Sequence, residues 1–506
     1  MTAADVLIIG SGMGGATLAA ALAPTGRRIL ILERGEFLRP AAEDRDAAAI
    51  FARGVYRPRE EWLDGADRPF NPGNYYNVGG NTKFYGAVLI RYRAEDFAPI
   101  RHMGGTTPGW PMSYDEIEPH YQAAEELYRV RGVVGDDPTE PAHSGSYPFP
   151  PVPDEPAIAD LRRRLTSVGL HPSSLPLAVD IERWLAHGQT PWDAFPDTCG
   201  GKMDAETAAL ARALAHENVE LRTGAKATRL LAGADDRITG VEVETPGGPE
   251  RLTAPVVVLA AGAVQSAALL LASADAAHPA GLANASDQVG RNFMNHNASA
   301  LLALHPFRRN GSVYQKTLML NDFYLTGGPD GAPLGNVQLL GKISGTILAA
   351  NAPLPRPVAR WIAARSVDLY AISEDLPDPD SRVTLQDGRI RLDWKRSNRE
   401  AHLALVAKLK SVLRKAGYPV VMARAFDRRT PSHQCGTARM GRDPATSVVD
   451  SFCRSHDHPN LYIADASVLP TSAAVNPALT VAALAHRAAG HIAETAAAPA
   501  GAAATS

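Results

Sequence analysis

The chain opens on an unbroken apolar run, Val6-Leu7-Ile8-Ile9. A glycine cluster and an Ala/Leu-rich stretch follow, then a second apolar run, Ile29-Leu30-Ile31-Leu32. Short apolar runs bounded by turn signals are typical of strands covered on both faces. Residues 5–34 therefore predict strand, glycine turn, helix, strand. The segment from about 40 to 75 is charged and proline-rich and predicts loops and short helices. Residues 113–132 carry a helical period with Ser113 at the N-cap and Glu116 three residues on, a capping box. Residues 134–156, rich in Pro, Asp and Gly, read as a connector. Beyond them, 203–216 predicts a helix and 219–222 and 238–244 predict strands. Val256 to Ala274 has the length of a membrane span, but Gly262, Gln265 and Ser266 fall in its middle, so it predicts a buried strand (256–260), a turn and a helix.

From about residue 299 the pattern changes. Stretches at 336–347, 367–374 and 381–394 alternate, and in the last Asp387-Gly388 separates two runs, a hairpin signal. The proline-rich stretch 349–357 reads as a surface loop or as the border of a substrate entrance. A helix at about 399–416 ends at Gly417, and a strand at 461–464 and a helix at 479–492 close the pattern. Strand–helix units at both ends with an antiparallel block between them predict an α/β chain, α+β overall. Its nucleotide-binding domain would be discontinuous, 1–155, 198–298 and 430–492. The inserted sheet domain would comprise 156–197 and 299–429, and 493–506 would be a disordered tail.

Length agrees with two domains, because 506 residues exceed the roughly 250–300 that one core serves. With a net charge of −3 and no Lys/Arg-rich run, nothing in the sequence pulls the chain toward nucleic acid or an anionic membrane. Cys199, Cys435 and Cys453 form no CxxC pair and no disulfide framework, which points to a reducing compartment. The first strand begins almost at once, with no basic n-region before it, so a cytoplasmic protein is expected.

Gly10-Ser11-Gly12-Met13-Gly14-Gly15 fits GxGxxG between a strand and a helix, and Glu33 ends the second strand. Gly10 allows the tight turn, Gly12 lets the backbone approach a pyrophosphate, and Gly15 lets helix and strand pack closely. Glu33 is placed for a ribose hydroxyl. This fingerprint serves FAD and NAD alike.

The C-terminal third decides between them. His433-Gln434-Cys435-Gly436-Thr437-Ala438-Arg439-Met440-Gly441 is followed by Val448-Val449-Asp450, Asn460-Leu461-Tyr462-Ile463-Ala464-Asp465-Ala466-Ser467 and Asn476-Pro477-Ala478-Leu479-Thr480. In order and spacing these stretches resemble the glucose–methanol–choline (GMC) oxidoreductase family. Asn77-Val78-Gly79-Gly80-Asn81-Thr82, Trp110-Pro111 with Tyr114 and Tyr121, Gly262-Ala263 with Ser266, and Val289-Gly290-Arg291-Asn292 extend the resemblance. Within the family, residues 335–342 and 373–384 and the His433/Asn476 pair resemble bacterial pyranose oxidases and glycoside 3-oxidases.

The resemblance implies a Rossmann-like FAD-binding domain with an inserted antiparallel-sheet substrate domain. It implies that Gly10, Gly12, Met13, Gly14, Gly15, Glu33 and Arg34 hold the ADP half of FAD, with Ala227 at the adenine. Gly80, Asn81 and Thr82 would run beside the pyrophosphate and flavin ring. Asp465, Ala466, Asn476, Pro477 and Thr480 would close the cradle. His433 would take the proton of a substrate hydroxyl, and Asn476 would hold the same oxygen. The implied substrate is a sugar or glycoside, oxidised at a secondary ring hydroxyl with C3 favoured, and the electrons would pass to oxygen or to a quinone or protein acceptor. The flavin is expected to be non-covalent, since 71–101 holds neither His nor Cys. A non-redox flavoprotein lyase and a flavin-free NAD-binding module are the alternatives from other classes. No metal is expected: His456-Asp457-His458 reads as a solvated loop. Cys435 reads as a buried filler, while Lys83 and Tyr85 either touch flavin or substrate or pack beneath the flavin loop. As a neutral imidazole, His433 would act with a pH limb near 6.5 if unperturbed.

Overall fold

The computed structural model describes residues 4–427, 429–430 and 433–495. Five parallel strands run in the order Leu461–Ile463, Val256–Leu259, Val6–Ile9, Ile29–Leu32 and Val219–Arg222. Val6 lies opposite Val256 on one side and Ile29 on the other. Every residue of the three inner strands is buried, which is why they read as apolar runs without alternation. Helix Met13–Leu22 leaves the first strand at the glycine turn and packs against Ala478–Thr495, joining the two ends of the chain. Ser113 caps helix Tyr114–Leu127 through the expected capping box. An antiparallel meander, Lys226–Ala232, Ile238–Thr245 and Gly248–Leu252, is inserted between the third and fourth sheet strands of the chain order; the sequence pattern marked only its middle strand.

A second sheet has six strands in the order Val420–Ala425, Asn297–Leu304, Ser366–Ser373, Asn336–Leu339, Leu318–Leu320 and Ser173–Ser174. Helices Pro156–Ser167 and Arg399–Lys415 cover one face, packing Leu161, Leu165, Leu405 and Leu409 onto Leu301, Ala303 and Leu369. On the other face, Ile362 packs over Leu302 and Leu304, and Tyr370 and Ile372 pack with Ala298.

Three expectations need correction. The Asp387-Gly388 hairpin forms, with φ of 51° and 74° at its tip, but it does not join the six-stranded sheet. It pairs with Trp62–Asp64 and Pro69–Phe70, strands inside the segment expected to hold only loops and short helices. The alternation at 336–347 ends as a strand at Leu339. Gly345–Asn351 and Arg356–Ala363 are helices, the first capped by the Ser344 hydroxyl and the second carrying proline in its first turn. The stretch 349–357 is therefore a short non-helical link, 352–355, between two helices, with Pro355 at the N-cap and Pro357 in the first turn of the second. The last helix reaches Thr495, so residues 493–495 are helical and not tail; 496–506 lie outside the described residues. No helix among the described residues is long and apolar enough to cross a membrane.

Candidate active site

Three glycines let the first helix seat against the sheet. A Cβ on Gly10 would meet the Ala260 carbonyl, one on Gly14 the Ala464 carbonyl, and one on Gly15 the Gly10 carbonyl. Gly12 and Gly262 differ: a Cβ on either would have no atom within 4 Å, and one on Gly80 would face the Gly12 Cα at 3.7 Å. The helix that begins after Gly12 has no side-chain cap and no acid in its first turn. Its free N–H groups and positive dipole end therefore face open space, the environment an anionic pyrophosphate requires. These residues fit a dinucleotide.

The other expected cradle residues are built in as follows. Glu33 accepts from the Ser11 amide (3.2 Å) and hydroxyl (2.6 Å) and from the Gly35 amide (2.9 Å), so it braces the glycine turn; burial pushes its carboxyl up. The Met13 carbonyl accepts from Thr17, and the Arg34 guanidinium lies 4.1 Å from the Tyr76 ring centre. Ala227 lies opposite Val243 in the meander. Asn81 Oδ1 accepts from the Tyr75 amide, and the Thr82 hydroxyl donates to the Gly79 carbonyl and accepts from the Ala205 amide. Lys83 pairs with Asp204 (3.0 Å) and Glu206 (2.7 Å), and the Tyr85 hydroxyl donates to the Met203 carbonyl. Both residues thus clamp the glycine loop onto 203–206.

Asp465 uses both carboxylate oxygens within the protein. Oδ2 accepts from the Gly262 amide and the Ser266 hydroxyl, and Oδ1 from the Ser467 amide and hydroxyl. It ties the turn after strand Val256–Leu259 to the loop after Leu461–Ile463. Ala466 accepts from the Gly436 amide, next to the His433 segment. Thr480 is buried, with its hydroxyl 2.7 Å from the Tyr121 hydroxyl, so it contributes a packing contact between helices.

His433 and Asn476 meet: Asn476 Nδ2 donates to His433 Nε2 at 3.1 Å. The surrounding bonds fix every proton in this group. His296 Nε2 lies 3.0 Å from the Ser472 carbonyl and 2.9 Å from the Ala473 carbonyl. Carbonyls only accept, so His296 Nε2 carries the hydrogen and its Nδ1 is bare. That Nδ1 lies 2.8 Å from His433 Nδ1, which must therefore donate. His433 is left with its lone pair on Nε2. Gln338 Nε2 donates to Asn476 Oδ1 at 2.5 Å, which turns the Asn476 amide hydrogens toward His433; Gln338 Oε1 is buried without a protein partner.

Burial, aided by His296 and Lys316, holds His433 well below the usual imidazole range, and burial holds His296 at about 4. His433 has φ of 70° and Ala473 φ of 49°, left-handed conformations that non-glycine residues rarely adopt and that collect at working sites. The Ala473 amide is held by Glu374 Oε1 at 2.9 Å, and burial keeps that carboxyl raised well above its ordinary value.

The sequence reading did not assign roles to His296, Gln338 and Glu374. His296 lies four residues beyond the quoted Val289–Asn292 stretch, and Gln338 and Glu374 lie inside quoted stretches. Their types suggested nothing until the fold placed them beside His433 and Ala473. The loop His456-Asp457-His458 is not the solvated loop expected: His458 is buried, its Nε2 accepting from the Ala283 amide and its Nδ1 donating to the Asp236 carbonyl, Asp457 accepts from the Ala285 amide, and His456 Nε2 lies 2.9 Å from the Ser447 hydroxyl. Cys435 is buried, with its thiol pushed far up.

With this geometry in view, comparison with known proteins gives the class. Models of the GMC oxidoreductase family match residues 178–298 and 377–485, and a NAD(P)-binding Rossmann-like domain matches 8–54. The chain belongs to the GMC oxidoreductase family. It is 31% identical to 6'''-hydroxyparomomycin C oxidase of Streptomyces lividus, over 94% of this chain and 89% of that protein. It is 30% identical to paromamine 6'-oxidase of Streptomyces fradiae, over 96% of this chain and 90% of that one. It is 28% identical to the fructose dehydrogenase large subunit of Gluconobacter japonicus, over 96% of this chain and 97% of that one. Among solved structures, pyridoxine 4-oxidase from Mesorbium loti superposes with a TM-score of 0.67 at 21% identity, covering 96% of this chain and 99% of that one; the fold is shared. Family and cradle together imply FAD as the cofactor.

Proposed function

We propose that this enzyme oxidises a hydroxyl of a sugar or glycoside, with His433 Nε2 accepting the hydroxyl proton and Asn476 Nδ2 donating to the same oxygen. The observation that carries this reading is the proton order in the His296–His433–Asn476–Gln338 chain, which leaves His433 Nε2 without a hydrogen and facing the Asn476 amide, a contact that a substrate hydroxyl would replace. When bound, FAD supplies the hydride acceptor. His433 supplies a base in its accepting form, typically worth ~10²–10⁴-fold. Asn476 fixes the oxygen so that the carbon-bound hydrogen is aimed, and Gln338 Oε1 offers an acceptor to a neighbouring hydroxyl, a feature suited to vicinal diols.

The depressed basicity of His433 sets a pH expectation. The neutral form is the active one, and lowering its pKa keeps it neutral further into acid. The acid limb of flavin reduction is therefore expected below pH 6.5 and not at it, with a flat rate above. Anaerobic stopped-flow reduction across pH 5–8, on the holoenzyme, measures this; a limb at or above about 6.5 would count against a buried His433 base.

For the position oxidised, the resemblance of 335–342 and 373–384 favours C3 of a pyranose ring. The names of the two Streptomyces relatives favour instead a 6-type position of an aminoglycoside, 6''' in one name and 6' in the other. Oxygen is the proposed electron acceptor, with a quinone or protein as the alternative, and FAD is held without a covalent bond. An anaerobic screen of free pyranoses, methyl glycosides and aminoglycosides, read by flavin bleaching and by NMR of the product, tests the reading. A 3-keto sugar supports C3; a product changed at a 6' or 6''' position overturns C3 and supports the second reading. Bleaching only by non-sugar alcohols overturns both. Peroxide under air identifies oxygen as acceptor, and yellow colour in the supernatant after acid precipitation identifies non-covalent FAD.

A further inference from the structure

No stretch of the sequence is a basic run, yet the fold assembles a basic and apolar face from three separate segments. Residues 299–321, 343–367 and 401–426 contain no Asp or Glu at all, in a chain with 54 of them and a net charge of −3. Strand Asn297–Leu304, helix Arg356–Ala363 and edge strand Val420–Ala425 bring parts of these segments together on one side of the six-stranded sheet: Leu302 and Leu304 pair with Met422 and Val420, and Ile362 packs over them. The turn after Leu304 abuts the end of the helix, since Arg365 Nε donates to the Pro306 carbonyl and the Arg365 guanidinium lies 4.7 Å from the Trp361 ring centre.

This face carries large apolar side chains held out into solvent. Phe307, at the tip of the turn, is 91% exposed; Val358 and Trp361, one helical turn apart, are each 44% exposed, and Val420 is 41% exposed. Around them stand Arg309, Arg356, Arg360 and Arg424, all exposed and none in an ion pair among the described residues. A lone exposed apolar residue means little. Here a phenylalanine projects from a turn whose chain meets the end of the helix that carries a tryptophan and a valine, and the segments that supply them and the four arginines hold no acid.

We propose that this face docks the enzyme on an anionic phospholipid membrane surface, without crossing it. Phe307, Val358 and Trp361 would enter the boundary between headgroups and acyl chains, and the arginines would sit at the phosphate level. This pairing of aromatic anchors with cations is what interfacial binding requires. It departs from the expectation drawn from net charge, because a net value averages over a surface that the fold has segregated.

The test is co-sedimentation of the full-chain holoenzyme with vesicles of phosphatidylcholine alone or with about 30% phosphatidylglycerol, followed by the same assay on variants. Each arginine drawn to an anionic surface changes the partition about five-fold. Binding to the anionic vesicles is expected, lost in about 0.5 M salt, and lowered at least about twenty-fold in Arg309→Glu/Arg360→Glu. Phe307→Ser/Trp361→Ser is expected to weaken it while flavin content and sugar-driven bleaching stay at wild-type values, which shows the fold intact. No binding to anionic vesicles, equal binding to neutral ones, or undiminished binding by both double variants overturns the proposal. So does a wild-type dimer that Phe307→Ser/Trp361→Ser converts to monomer, since the face would then be a contact between two copies. Binding to an acidic protein in preference to vesicles would overturn it too.

Discussion

His433→Ala is expected to slow reduction of the flavin by substrate ~10²–10⁴-fold while FAD stays bound. The side chain is half-buried, and its backbone segment meets the cradle through the Gly436 amide on the Ala466 carbonyl and the Ala438 amide on the Ser467 carbonyl, contacts the substitution leaves in place. The remaining imidazole, His296, cannot replace it: its Nε2 hydrogen is shared by two carbonyls, and burial keeps it a weak base. Asn476→Ala removes one orienting donor and is expected to cost less, about ten-fold. Gln338→Ala should act mainly on KM, because its unpartnered Oε1 is proposed to hold a hydroxyl beside the reacting one, a contact made equally before and during the reaction. Stopped-flow reduction separates these cases. A wild-type rate in His433→Ala places the base elsewhere, and loss of bound FAD in that variant would make the result one of binding and not of chemistry.

The elements legible in the sequence were those whose physics is local. The strand runs at 6–9, 29–32 and 256–259, the Ser113 capping box and the Asp387-Gly388 turn each carry their own signal and form as read. What failed was partner choice. Nothing local says that Arg391 pairs with Leu63, some 330 residues away, so the hairpin's sheet was misassigned. Helix Gly345–Asn351 was missed because its start was read into the alternating stretch 336–347, and Arg356–Ala363 because the proline-rich stretch 349–357 was read as a loop, although a proline in a first turn costs no hydrogen bond. Ser366–Ser373 is buried at all eight positions, so exposure does not alternate along it as the pattern suggested. For the candidate site, the quoted motifs brought His433 and Asn476 together, whereas His296 and Gln338 matter only through bonds to residues 137 and 138 positions away.

Gly14→Ala is expected to yield protein without FAD. The Gly14 Cα faces the Ala464 carbonyl so closely that a Cβ would overlap the oxygen and lie 2.7 Å from its carbon. Both are main-chain atoms of the loop that leads into Asp465, whose carboxylate in turn holds the Gly262 amide and Ser266. Relief therefore requires the first helix to lift from the sheet, or the 464–467 loop to shift with the turn at Gly262. Either movement displaces the helix N-terminus from the place where its amides face the space beside Gly12 and Gly80. Overpacking of this kind costs about 1–3 kcal/mol in a core that can relax, and here the obstacle is backbone. Gly490→Ala serves as the control. It sits inside helix Ala478–Thr495, a Cβ there would meet nothing within 4 Å, and the change should stabilise by about 0.5–1 kcal/mol. The ratio of flavin absorbance to protein and the Tm of both variants decide the matter. A yellow Gly14→Ala protein with full FAD content would mean that the close approach of helix and sheet is not what builds the cradle.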